Sequence, residues 1–205
     1  MALSQHCQRM KILLLRHGET DTNLRGLTHK RGAQEGLNKT GQEQARHLAD
    51  VCKSHGVQAL YSSPELRATE TARIISKEIG LEPLILEDLA ERHWGAWEGH
   101  PWSDIVARLR PMSIQERYTF VPPNGESWEQ MERRLKKMIA IIQSKSTTAA
   151  VITHGGALRA LMPALKGEPL DTSLQYDFRN ASVTIFADKS GALSLALEND
   201  VTHLS

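Results

Sequence analysis

The chain has little cysteine: two in 205 residues, Cys7 and Cys52, with no Cys-x-x-Cys pair and no Cys/His cluster at zinc spacing. Two thiols without a framework fit a reducing compartment. Nine histidines include no His-Glu-x-x-His pair, so the sequence supports no metal site, structural or catalytic. An excess of one charge is also missing. Twenty-five Lys and Arg against 24 Asp and Glu leave a formal net charge of +1, and nothing in that balance suggests a nucleic-acid or acidic-membrane partner. Long apolar runs are absent. The N-terminal MALSQHCQRMKILLL is polar where a signal peptide would be apolar, and its apolar run is four residues long. It reads as neither leader nor anchor, and the expected location is cytoplasmic. No repeat, linker or low-complexity tract divides the chain, so residues 1–205 are expected to form a single domain, with 1–9 as a loose extension.

What is present alternates between strand and helix. Lys11 to Leu15 is a short apolar run ending at Arg16-His17-Gly18, the pattern of a strand buried on both faces of a parallel sheet. Thr40 and Glu43 offer a capping box for a helix that stops at Gly56. A second strand is predicted over 57–61, then a helix capped by Ser63 with Pro64 at its first position, closing at Gly80. Another short strand is predicted over 83–86. Residues 87–125 are irregular, hold Trp94, Trp97 and Trp102, and suggest one short helix near 102–110. They are expected to form a lid in which the tryptophans pack and one of them could line the substrate pocket. Ser127 and Gln130 form a capping box for a helix whose run RRLKK, 133–137, reads as a solvated face. A strand at 148–152 stops at His154-Gly155-Gly156, and the following helix is expected to kink or restart at Pro163. Two strands near 182–187 and 192–198 turn at 188–191, with Leu193, Leu195 and Leu197 alternating. The order implies an α/β fold: a three-layer helix-sheet-helix sandwich around a mostly parallel sheet. The last strand pair offers an edge at which two copies could pair as a homodimer.

In such sheets the ligand crevice lies outside the carboxyl ends of the strands. His17 and His154 each follow a strand there, Arg67 lies in the first turn after another, and Glu91 lies just beyond the next. This set suits phosphoryl transfer through a phosphohistidine. A neutral imidazole, with an ordinary pKa of about 6.5, is nucleophilic near neutrality. The transferred group spreads its charge over three oxygens, which fixed cationic donors must hold. Arg16 and Arg67 can do so bidentately, and His154 adds a donor if protonated. Gly18, Gly155 and Gly156 let backbone close on the phosphate, and Glu91 can protonate the leaving alkoxide. Each residue has a plainer reading when taken alone. A strand-end histidine is usually a satisfied hinge residue, Arg67 a solvated helix arginine, and Glu91 a surface carboxylate like Glu87, Asp88 or Glu98.

Five stretches taken together carry more. LLLRHGETDTN, LYSSPELRATETA, LAERHWGAWEG, PPNGESWEQMERR and VITHGGALRAL resemble, in order, the motifs of the histidine phosphatase superfamily, which includes cofactor-dependent phosphoglycerate mutases and many phosphatases. The resemblance runs from about 11 to 187. It implies a phosphoglycerate mutase-like fold with His17 as the phosphorylated nucleophile, Glu91 as proton donor, and Arg16, Arg67 and His154 as the phosphate pocket. Asn23, Thr28 and the backbone of Gly155 become further phosphate or substrate contacts. No cofactor is implied, and the partner is a small phosphorylated substrate.

ERHWGA is close to the mutase version of its motif. The lysine that mutases carry shortly after it would fall near Pro101-Trp102, however, and no Arg-Arg pair occurs in 100–125, where Arg108, Arg110 and Arg117 are scattered instead. PNGES at 123–127 looks more like the phosphatase branch. The favoured reading is therefore a phosphomonoesterase, similar to broad-specificity or α-ribazole phosphatases. The alternatives are a mutase, a phosphoprotein phosphatase or a non-catalytic phospho-ligand module. The loop LTHKRGAQEG, 27–36, departs from the family pattern. Its His29, Lys30 and Arg31 could add positive charge at the rim, although an exposed solvated loop is the plainer reading.

Overall fold

The computed structural model describes residues 10–145, 148–189 and 192–205; the expected N-terminal extension, Cys7 and the tip of the last turn lie outside them. Four strands run parallel: β1 (Lys11–Arg16), β2 (Ala59–Ser62), β3 (Leu84–Ile85) and β4 (Thr148–Thr153). Two more, β5 (Val183–Lys189) and β6 (Ala192–Asp200), add antiparallel, in the order β3-β2-β4-β1-β5-β6. Four longer helices cover the faces: α2 (Lys39–Ser54), α3 (Leu66–Ile79), α6 (Trp128–Lys145) and α7 (Gly155–Lys166). Three short ones, α1 (Asp21–Leu24), α4 (Trp102–Leu109) and α5 (Ile114–Thr119), lie in the connections. The expected helix-sheet-helix architecture is present.

The continuous apolar strands follow from that layering. Successive strand side chains point to opposite faces, and here both faces are covered. Leu13, Leu15, Leu60, Ala150 and Ile152 pack with Leu48, Ala68, Ala72 and Ile75 of α2 and α3. Ile12, Leu14, Tyr61, Ala149 and Val151 pack with Met131, Leu135, Leu158 and Leu161 of α6 and α7. Removing any of the fully buried leucines to alanine would cost about 2–5 kcal/mol.

Several expectations at element ends are corrected. Helix α2 starts at Lys39, and its cap is Asn38, whose Oδ1 accepts from the Gly41 N–H at 2.8 Å, not Thr40. Asn38 is moored to the loop after β1, since its Nδ2 donates to Glu19 Oε1 at 3.0 Å and its N–H to the Glu19 carbonyl at 3.1 Å. Helix α3 starts at Leu66 with Glu65 in the cap position and no side-chain cap bond, because Ser63 and Glu65 are turned toward His154. Helix α7 runs unbroken through Pro163, which stands in the last turn before the left-handed Gly167. Leu195 and Leu197 do not share a face. Ile185 pairs with Leu197 but Phe186 with Leu195, so Ala196 is a bulge; Leu193 and Leu195 face the α6/α7 layer and Leu197 the α2/α3 layer. The box at Ser127 and Gln130 and the stop at Gly80 are as expected.

Residues 87–125 contain α4 as expected and also α5, which starts at a Ser113/Glu116 capping box that sequence reading passed over. Trp94, Ile105 and Leu109 form a small core of their own, with Trp97, Trp102, Met112, Phe120 and Trp128 packed against it.

The loop after β1 crosses α2 at Gly41, where an added Cβ would lie 2.1 Å from the Glu19 carbonyl oxygen. In an open helix Gly→Ala would stabilise by about 1 kcal/mol. At this backbone-to-backbone contact the sign reverses, and Gly41→Ala is expected to destabilise by about 1–3 kcal/mol. A urea midpoint raised by the substitution would contradict this account of the packing.

Candidate active site

Adjacent parallel strands bring the two histidines together. Arg16 of β1 is in register with Thr153 of β4, and the His17 N–H donates to the Thr153 carbonyl at 3.0 Å. His17 and His154 therefore leave neighbouring strand ends side by side, with ring centroids 5.2 Å apart. His17 is buried. Its Nδ1–H donates to the Gly18 carbonyl oxygen at 2.7 Å, which fixes the tautomer and leaves a lone pair on Nε2. That nitrogen accepts from Arg67 Nε at 3.3 Å. Burial, then the positive charges of Arg67, His154 and Arg16, hold the His17 pKa well below its ordinary value, so the imidazole is neutral.

Arg67 is 2% exposed, held in the first turn of α3. Arg16 donates from Nη1 to the Phe178 carbonyl oxygen. The ring of His154 meets Glu65 Oε2 at 3.0 Å and Ser63 Oγ at 2.6 Å, both through Nε2. Arg16 Nε and His154 Nδ1 are buried without a hydrogen-bond partner among the described residues. Two buried nitrogens beside His17 are thus not committed to a protein partner among the described residues.

Glu91 is held from three directions. Its Oε2 accepts from Gly156 N–H at 3.0 Å and its Oε1 from Arg92 N–H at 2.7 Å, and its own N–H donates to Glu65 Oε1 at 3.2 Å. A Cβ on Gly156 would come within 2.4 Å of Glu91 Oε1, which explains a glycine there. Arg134 clamps the segment from outside, donating to the carbonyls of Asp88, Ala90 and Glu91 at 2.8, 2.7 and 3.1 Å and to Glu126 at 2.5 Å. This corrects the reading of the 133–137 run: Arg133 and Lys136 are solvated, but the Arg134 side chain is 18% exposed and structural.

A cleft of about 450 Å3 opens over these groups, lined by Arg16, His17, Asn23, Thr28, Arg67, Glu91 and Gly155 among others. His154 is not among the lining residues, although its ring lies beside that of His17. Asn23 Oδ1 accepts from Thr20 and from Asn180 Nδ2, which leaves its own amide N–H groups for the cleft. Thr28 spends its hydroxyl on the Trp97 and His100 carbonyls, at 3.3 and 3.1 Å, so it ties down the 97–101 segment while lining the cleft. His29 also lines the cleft, its ring edge-on to His17 with centroids 5.9 Å apart. Burial and the charges of Arg67, His154 and Arg16 push its pKa down to about 2, so it brings hydrogen bonding and no charge. Lys30 and Arg31 are exposed and do not line the cleft.

Sequence reading missed four contributors. Glu65, inside the SSPELR stretch, bonds both His154 and the Glu91 backbone. Burial alone would raise its pKa, but His154, Arg67 and Ser63 hold it well below the carboxylate range. Arg159 of α7 lines the cleft and donates from Nε to the Tyr176 carbonyl at 2.9 Å. Asn180 donates to the His17 carbonyl at 3.3 Å. Arg92 is buried, with its guanidinium 3.9 Å from the Trp94 ring centroid and 4.6 Å from that of Trp128. Glu65, Arg92 and Arg159 carried a sequence signal, each lying inside a quoted motif; Asn180 carried none. Trp94, Trp102 and Trp128 line the cleft, whereas Trp97 stacks on Phe120 away from it. Among the described residues no group of three or more His, Cys, Asp or Glu could hold a metal ion, and no helix is long and apolar enough to cross a membrane.

A family model described as the histidine phosphatase superfamily, branch 1, matches residues 12–201. The chain is 31% identical over 204 residues to a metal-independent phosphoserine phosphatase of Arabidopsis thaliana, covering 95% of this chain and 83% of that protein. It is 26% identical over 185 residues to a 2,3-bisphosphoglycerate-dependent phosphoglycerate mutase of Thermoplasma acidophilum, covering 90% of each. Among solved structures, a mycobacterial glucosyl-3-phosphoglycerate phosphatase superposes with a TM-score of 0.81 at 26% identity, covering 94% of this chain and 100% of that one.

Two neutral histidines, His17 buried and His29 partly buried, make folding sensitive to acid. Unfolded, His17 and His29 take up protons near pH 6.5; folded, they do so only far lower. The unfolded chain therefore binds more protons below pH 6.5, and stability present above that pH is lost as pH falls. The slope approaches about 1.4 kcal/mol per pH unit for each group. Urea unfolding at pH 7.5, 6 and 5 should show this loss, with a shallower slope in His29→Gln. A pH-independent midpoint would refute the neutral, buried assignment.

Proposed function

The chain belongs to the histidine phosphatase superfamily, and from that premise we propose that it is a metal-independent phosphomonoesterase acting on a small phosphorylated metabolite through a phosphohistidine on His17. Family membership and the phosphatase relatives bear out the expected class of enzyme, a phosphoric monoester hydrolase. The observation that carries the mechanism is the His17 tautomer. With Nδ1–H on the Gly18 carbonyl, the lone pair is on Nε2, where Arg67 Nε donates to it from 3.3 Å; an arriving phosphoryl group draws that donor onto its own oxygens and leaves the lone pair to phosphorus.

In the first step Nε2 attacks phosphorus and the ester P–O bond breaks. Arg16, Arg67 and His154 hold the three equatorial oxygens, and Asn23 and the Gly155 backbone add contacts. The leaving oxygen takes a proton from the Glu91 carboxyl. The ring, now substituted at Nε2 and protonated at Nδ1, carries positive charge that the Gly18 carbonyl oxygen stabilises. In the second step water attacks phosphorus, the P–N bond breaks, and Glu91 takes the water's proton, returning His17 to its starting form. Glu65 acts as a positioning residue, since one carboxylate orients the His154 ring and fixes the backbone of Glu91.

A cleft walled by Trp94, Trp102 and Trp128 favours a small ester over a phosphorylated protein side chain, which would need an open, shallow surface. A mutase would have to grip a carboxylate substrate while it reorients, and the scattered Arg108, Arg110 and Arg117 offer no paired clamp. Arg117 is spent on the Met112 and Arg110 carbonyls, both at 2.9 Å.

With excess chelator, the wild type is expected to hydrolyse a generic aryl phosphate near pH 6, and His17→Ala to lose at least about 10³-fold of that activity. Activity persisting in the variant would refute the phosphohistidine; no hydrolysis by the wild type would point to the mutase, tested next with phosphoglycerates. Glu65→Gln should lower kcat about 10–100-fold, the worth of a hydrogen bond to a charged group, with a much smaller effect on KM. Unchanged kcat in a folded Glu65→Gln would show that it positions nothing.

A further inference from the structure

Beside the phosphate cleft lies a second hollow, of about 90 Å3, built from the lid and the start of the 170–175 turn. Its walls include Val106, Leu109, Ile114, Tyr118 and Leu170. Trp102, Trp128 and Arg159 line both this hollow and the cleft, so the two adjoin across a shared wall. Val106 and Ile114 are 39% and 43% exposed, large apolar side chains left facing water at this site. Exposed apolar surface next to a reactive centre is where binding energy for the rest of a substrate is available.

Three of the polar side chains around the hollow, Arg117, Tyr118 and Arg159, are bonded within the protein, and Ser173 adds one hydroxyl to the lining. Tyr118 Oη donates to Glu132 at 2.9 Å, Arg117 bonds two backbone carbonyls, and Arg159 Nε bonds the Tyr176 carbonyl while its guanidinium lies 5.5 Å from the Trp102 ring centroid. The contrast with the cleft, where Arg16 Nε and His154 Nδ1 lack partners, is sharp. One hollow is prepared for a charged, hydrogen-bonding group and its neighbour for an apolar one. The neighbour is smaller than the roughly 150 Å3 cavity that accepts benzene, which limits its occupant to a branched alkyl group or part of one aromatic ring.

We propose that the hollow bounded by α4, α5 and Leu170 is the leaving-group subsite, and that the preferred substrates are phosphomonoesters of alcohols bearing one compact apolar group, branched alkyl or single-ring aromatic. The proposal rests on the phosphatase reading above and names its substrate class. Small, wholly polar esters such as phosphoserine or glycerol 3-phosphate leave this surface wet and forgo its contribution.

The test compares alkyl esters, whose leaving groups differ little in acidity. The ratio of kcat/KM for benzyl phosphate to that for phosphoserine is measured on the full chain, in the wild type and in Val106→Asn and Ile114→Asp, which change exposed rim positions. A wild-type ratio of about 10 or more, falling at least about fivefold in each variant, is expected from the worth of one or two buried carbon groups. A wild-type ratio at or below one, or a ratio unmoved in both folded variants, overturns the subsite. Should a variant fail to fold, inhibition of the wild type by benzylphosphonate against methylphosphonate reads the same surface. Binding at least tenfold tighter supports the subsite, and equal binding overturns it. Hydrolysis of polar esters without the preference defeats the subsite alone. Absence of all phosphomonoester hydrolysis, or its survival in His17→Ala, defeats the phosphatase reading and the subsite with it.

Discussion

One short hydrogen bond, from His17 Nδ1–H to the carbonyl oxygen of Gly18, governs the chemistry available here. An imidazole this buried and this close to two guanidinium groups cannot carry charge in the resting site. A neutral imidazole still has two tautomers, and only the one with its proton on Nδ1 presents Nε2 to a substrate. The bond also requires the backbone at residue 18 to turn its carbonyl back toward the ring. Side-chain space at Gly18 is closed by the helix behind it, with the Gly41 carbonyl oxygen 2.4 Å from where a Cβ would stand. Two glycines, one in the loop and one in the helix, thus let the loop approach closely enough for the turn to form.

The sheet accounts for the rest of the convergence. Parallel β1 and β4 in matched register put His17 beside His154, and β2 on the other flank of β4 ends at Ser62 and leads into Ser63 and Glu65. Glu91 comes from outside the sheet, on a segment with little regular structure, and this explains why so many groups hold it: Gly156, Arg92, Glu65 and Arg134. A carboxylate on an irregular segment keeps its geometry only if its backbone and side chain are both tied down. The 87–125 segment is organised around Arg92 in the same way, a buried cation held against Trp94 and Trp128 with its Nη2 on the Phe120 carbonyl.

What could be read from the sequence divides along physical lines. Strand cores, the stops at Gly80 and Gly56, and the Ser127/Gln130 cap depend on neighbours a few residues away, and periodicity or local chemistry reveals them. The failures depend on partners far along the chain. Asn38 displaced Thr40 as the α2 cap because Glu19 holds it. Ser63 and Glu65 gave up capping α3 because His154, 91 and 89 residues away, takes their side chains. The Ala196 bulge is a property of two paired strands and has no signal in either alone. Arg134 looked like one cation in a basic run; only the tertiary fold brings it to the carbonyls beneath Glu91. At the site, residues at strand ends were legible because a strand end is a position along the chain. Glu65, Arg159 and Asn180 were not, because their roles are defined by what crosses the site.

The charge distribution makes the phosphate part of the structure's own logic. Arg16, Arg67 and Arg159 are each desolvated enough to lower their pKa, and the nearby carboxylates, Glu65 and Glu91, are already bonded to His154, Ser63 and backbone N–H groups. Desolvated cations without full compensation cost stability, and the fold supports that cost with the packed leucines of β1 on both faces of the sheet. A phosphoryl group would bring two negative charges and three acceptor oxygens to atoms such as Arg16 Nε and His154 Nδ1, which have no partner among the described residues. The site therefore gains most from a ligand that is highly charged at the point of reaction. A transition state whose charge lies on the equatorial oxygens meets that requirement, and donors already held in place by Phe178, Glu65 and His17 need not reorganise to receive it.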